Sequence, residues 1–76
     1  MRQLTKEEIK KLASVPGVRR IAVENFLFTL TNNRTPGEAL RNLEYDAKLY
    51  KWDAKTVGVI KKGIRMAMRE DINATT

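Results

Sequence analysis

The chain has 76 residues, of which 42% are apolar and 32% charged, with fifteen Lys or Arg against nine Asp or Glu and a formal charge of +6. This length allows one small domain that buries only somewhat more than about 60% of its unfolded surface, and the composition excludes both a disordered chain and a membrane span, which needs roughly 18 unbroken apolar residues. Without cysteine or histidine there is no disulfide, thiolate nucleophile, imidazole base or ordinary zinc or haem site, so neither metal nor cofactor is expected.

The charged start MRQLTKEEIKK is no signal peptide, and the expected location is cytoplasmic. Charge is uneven: residues 1–31 carry six basic against three acidic side chains, 32–53 four against four, and 54–76 five against two. A pI near 10.0 in a small domain points toward nucleic acid or another polyanion.

Thr5-Lys6-Glu7-Glu8 is a capping box, in which the Thr5 hydroxyl accepts from the Glu8 amide and the Glu8 carboxylate from the Thr5 amide, with Leu4 and Ile9 as the hydrophobic staple. It predicts a first helix over 6–14 that lies on the core through Ile9, Leu12 and Ala13 and turns Lys10 and Lys11 to water. Pro16 pushes Val15 out of the helical region and suits the first position of a new helix, so a second helix is expected over 16–31. On it Val18, Ile21, Ala22, Asn25, Phe26, Phe28 and Leu30 spread over more than half the circumference at about 100° per residue. A surface helix shows only a stripe. The second helix is therefore expected to be central, with Arg20 and Glu24 marking its solvent strip. Asn25 and Thr29 then need hydrogen-bond partners, for Thr29 a preceding carbonyl and for Asn25 a neighbouring helix end or loop.

The run Leu12-x-x-Val15-Pro16-Gly17-Val18 followed by Arg19, Arg20 and Ala22 resembles part of a helix-hairpin-helix element. The resemblance covers about a dozen residues, and it implies a hairpin whose Gly17 turn presents backbone amides to a nucleic-acid phosphate. Arg19 stands where that pattern has its second glycine, and the alanine falls one residue early.

Thr31-Asn32-Asn33-Arg34 is a polar loop in which either asparagine can end a helix in the left-handed conformation. Thr35-Pro36-Gly37-Glu38 is a second capping box with proline at the first helical position. A third helix over 36–51 would turn Ala39, Leu40, Leu43, Ala47 and Tyr50 inward and Arg41, Glu44, Tyr45 and Lys48 outward. Asp53 caps a fourth helix, 53–70, stapled by Trp52 and Val57. Trp52 is expected in the core. Val57, Ile60, Ile64 and Met68 face inward, Thr56, Gly63 and Ala67 form an adjoining strip that lets another helix come close, and the tail from Asp71 is expected to fray. The fold class is an all-α, compact single-domain bundle of four short helices.

Lys55, Lys62, Arg65 and Arg69 share one stripe of the fourth helix, about 120° from its apolar stripe, with Gly58 completing it. Four cations on one rigid face can each meet a phosphate, and arginine adds bidentate geometry. The candidate nucleic-acid-binding residues are these four with Arg19, Arg20 and Gly17, and DNA or RNA is the expected partner. Lys10 and Lys11, on the lid helix, serve as the control positions. The alternative is a protein partner or homodimer held through Leu27, Leu49, Val59 and Met66, which the helical wheels leave without an inward role. Catalysis is not expected: Glu7 and Glu8 are consumed by capping, Glu44 and Asp46 point to different sides of a helix, and no glycine-rich phosphate loop follows a strand.

Overall fold

Helix α1, Lys6–Ala13, begins at the cap expected of it: in this computed structural model the Glu8 amide donates to Thr5 Oγ1 at 3.1 Å and the Thr5 amide to Glu8 Oε1 at 2.9 Å. The structure describes residues 1–30 and 34–75, with the side chains of 70–75 excepted. The other helices are α2 (Arg20–Phe28), α3 (Pro36–Tyr50) and α4 (Ala54–Thr75), and there is no strand among the described residues. Leu4, Ile9, Leu12 and Ala13 are buried, so α1 covers the core as its stripe requires. No helix of the described residues is long and apolar enough to cross a membrane.

Helix α2 starts four residues later than the proline suggests. Gly17 lies at φ +86°, a left-handed conformation that no right-handed helix can contain, and the Val18 amide reaches Val15 O at 3.4 Å. Pro16 followed by a positive-φ glycine under this bond is the arrangement of a type II turn. The fixed φ of proline serves a turn as well as a helix start, so this signal alone does not choose between them. The helix ends at Phe28, and Leu30 is buried just beyond it.

The core joins Val23, Phe26 and Leu27 of α2, Ala39 and Leu43 of α3, and Ile60, Ile64 and Ala67 of α4 with the α1 stripe. Burial around the whole of α2 does not occur, since Ile21 is 72% and Phe28 44% exposed. The reason is topological: α4 packs against each of the other three helices, whereas α2 packs extensively only on α1 and α4. The small strip of α4 makes this possible. Thr56 and Ala67 are fully buried, and a Cβ added at Gly63 would stand 2.8 Å from Leu27 Cδ2 and 3.3 Å from Leu12 Cδ1. Two helices thus close on one glycine.

On α3, Leu40 and Tyr50 stay largely exposed, contrary to the inward positions expected of them, because α3 has α4 on one side and little on the other. Its cap is simpler than a capping box: the Glu38 amide donates to Thr35 Oγ1 at 3.2 Å, and the Thr35 hydroxyl donates to Glu38 Oε1 in place of the reciprocal backbone bond. It ends at Lys51, left-handed at φ 56°, with the Trp52 amide on Ala47 O. Asp53 caps α4 through Thr56, and Trp52 and Val57 are half-buried against the core. The helix carries on through Thr75, past the fraying point expected at Asp71. The helix-ending role expected of Asn32 or Asn33 lies outside the described residues.

Candidate nucleic-acid interface

Lys55, Lys62, Arg65 and Arg69 are all exposed, and among the described residues none of them is ion-paired. From Lys55 to Arg69 the stripe runs about 21 Å at 1.5 Å per residue. Gly58, Lys62, Arg65, Met66 and Arg69 border one depression, and Lys55 lies outside it.

The turn between α1 and α2 belongs to that surface. A Cβ at Gly17 would lie 2.9 Å from Lys55 Nζ, so the lysine side chain rests on the turn. Further along, Lys62 and Met66 border a depression of about 640 Å³ whose other wall includes Glu8, Lys11, Val15 and Pro16. Lys11 is therefore a member of the basic surface and unsuitable as a control. Sequence reasoning missed it because only the packing of α1 on α4 brings it beside Lys62, and no local pattern records that packing. Glu8 is the acid in this wall, and its charge is already committed. The Arg2 guanidinium holds it at 2.7 and 2.9 Å, and with the Thr5 amide lowers its pKa from 4.5 to about 2.

Arg19 and Arg20 lie at the edge, not on the stripe. The Arg19 amide donates to Thr56 Oγ1 at 3.1 Å, and Thr56 in turn donates to the Asp53 carboxylate, whose pKa that hydroxyl lowers. This relay pins the turn to the start of α4. It also occupies an amide at the position where the helix-hairpin-helix pattern has its second glycine. The Arg19 guanidinium donates to Tyr50 O at 3.2 Å, away from the stripe, and Arg20 pairs with Glu24 at 3.0 Å within α2.

The alternative apolar set does not assemble. Leu27 is fully buried, because it seats on Gly63, so it is core and no partner surface. Val59 and Met66 are half-buried against the core, and Leu49 is exposed on α3, a different element. Thr29 donates to Phe26 O at 2.6 Å as expected, but Asn25 has no partner among the described residues and faces solvent.

In comparison with known proteins, no family model, no curated sequence and no solved structure matches this chain.

Proposed function

We propose that this protein is a small cytoplasmic nucleic-acid-binding module, without catalytic activity, that contacts phosphates through Lys55, Lys62, Arg65 and Arg69. The observation that carries the reading is the placement of Lys55 over the Gly17 turn together with Lys62 beside Lys11 and Pro16. Cations from α1 and α4 thereby share one face, and the acid beside them is neutralised by Arg2. Such a face favours phosphate over a protein surface of mixed charge and has little means of reading base sequence.

The test is salt dependence. Four phosphate contacts predict a log–log slope of roughly −3 to −4 on duplex DNA, at about −0.9 per neutralised phosphate. Replacing Lys62 and Arg65 together by glutamine should lower that slope by about two contacts and weaken every sequence alike. Arg41→Gln with Lys48→Gln, on the outer face of α3, is the control and should leave the slope unchanged. Absence of binding at low salt, or equal effects from the two pairs, would leave the stripe as a solvated face.

A further inference from the structure

Helices α2 and α3 both pack on α4 but not extensively on each other, and the space between them is an open cleft of about 380 Å³. Ile21 and Asn25 line it from α2, Asp46 and Tyr50 from α3, and Trp52 from the corner after α3. Its aromatic wall is fixed in place: Tyr50 stacks on Trp52 with centroids 5.7 Å apart and planes 22° from parallel, and Trp52 meets Phe26 edge-on at 6.3 Å and 84°. Ile21, lining the same space, stands 72% exposed, and Tyr50 itself is 56% exposed. The Asn25 amide and Asp46 carboxylate, with no hydrogen-bond partner among the described residues, edge the same space.

Flat apolar walls with a carboxylate and an amide at the edge fit one kind of occupant. A phosphate is repelled by Asp46. An apolar side chain would cover both polar groups without bonding either, at a desolvation cost. A nucleobase with an exocyclic amine satisfies every element, since its ring stacks on the aromatic wall while Asp46 accepts from the amine and Asn25 bonds a ring edge. The position agrees as well. The Gly17–Arg19 segment touches both the cleft and the near end of the basic stripe, with Lys55 against Gly17 and the Arg19 guanidinium on Tyr50 O.

We infer that the α2–α3 cleft takes an unpaired amine-bearing base, cytosine, adenine or guanine, of a single strand whose phosphates run along α4, an inference that rests on the phosphate-contact reading above. Trp52 is the sole tryptophan, so its emission reports the cleft directly. The experiment compares oligodeoxycytidylate, oligothymidylate, an abasic strand of equal length and free cytidine monophosphate at low salt. The two base-bearing strands should quench Trp52, with the cytosine strand binding about fivefold or more above the abasic one, as base stacking is worth, and above the thymine strand. Tyr50→Ala should bring the cytosine strand down to the abasic level, and Asp46→Ala should erase its preference over thymine, both with unchanged circular dichroism. If the cytosine strand binds no better than the abasic strand and leaves Trp52 emission unaltered, the cleft is no base site while the phosphate reading stands. If no strand binds, this inference falls, and if duplex DNA also fails to bind, the phosphate reading falls with it. Free cytidine monophosphate binding as tightly as the strand would overturn the strand assignment, as would a dimer in sedimentation that changes Trp52 emission with no nucleic acid present.

Discussion

The seam between α2 and α4 and the cleft between α2 and α3 both involve apolar faces of the same helix, yet one is closed to van der Waals contact and the other is open. In the seam, Leu27 finds Gly63 opposite it, and the one buried hydroxyl there, Thr56, is satisfied by the Arg19 amide and the Asp53 carboxylate. In the cleft, Ile21 and Tyr50 line the space together with Asn25 and Asp46. Ala22 is small, but the α3 side offers only Asp46 and Tyr50, and closing would bury two unpaired polar groups. Helices close where one side is small and the polar groups are paired; apolar content alone does not bring them together.

The largest expected effect separates the core from the cleft rim. Phe26→Ala should cost about 3–5 kcal/mol in urea denaturation, a large share of the stability of so small a domain, because Phe26 is 4% exposed and holds Trp52 edge-on. Ile21→Ala, on the rim, should stay within about 0.5 kcal/mol. Similar losses at both positions would mean that the cleft is closed in solution.

Next come the two glycines of α4, which should differ in sign. Gly63→Ala forces Leu27 or Leu12 to move in a packed core, an overpacking cost of about 1–3 kcal/mol that the better helix propensity of alanine offsets by about 1 kcal/mol at most. The net outcome is a loss. Gly58→Ala meets nothing within 4 Å and should stabilise by about 0.5–1 kcal/mol. Stabilisation at both sites would show that the seam is looser than the 2.8 Å approach implies.

The smallest effect lies outside both regions, at the start of α1, which Arg2 and Glu8 fasten. Because the pKa of Glu8 is lowered in the folded state from 4.5 to about 2, its contribution is fully present above pH 4.5 and is lost as the pH falls toward 2. Glu8→Gln should remove that part of the acid dependence of Tm and leave the rest. An unchanged profile would show that the Arg2 pair contributes nothing in solution, as is common for surface pairs.

Much of the bundle was legible locally. The Thr5, Thr35 and Asp53 caps mark three helix starts because a cap needs only residues within one turn. The small strip of Thr56, Gly63 and Ala67 marks the seam because a missing side chain leaves room whichever neighbour arrives. The stripe of Lys55, Lys62, Arg65 and Arg69 is equally visible, since all four lie on one rigid helix. The Val15-Pro16-Gly17 break was visible too, but not its kind, because proline serves a type II turn and a helix start alike.

What the sequence could not decide is which apolar face of α2 meets a partner helix. The helical wheel sets Ile21 among the apolar positions of a central helix and leaves Leu27 without an inward role, yet Leu27 is fully buried and Ile21 mostly exposed. The difference comes from Gly63, 36 positions further along the chain, which lies under Leu27, while no helix lies over Ile21. Lys11 joins the basic face for the same reason, through the packing of α1 on α4. Composition and periodicity determined the helices, their caps and the charged stripe, all set by contacts within about one turn. Only the tertiary structure decided which faces close, because burial is a property of the pair of surfaces that meet, and the second surface comes from elsewhere in the chain.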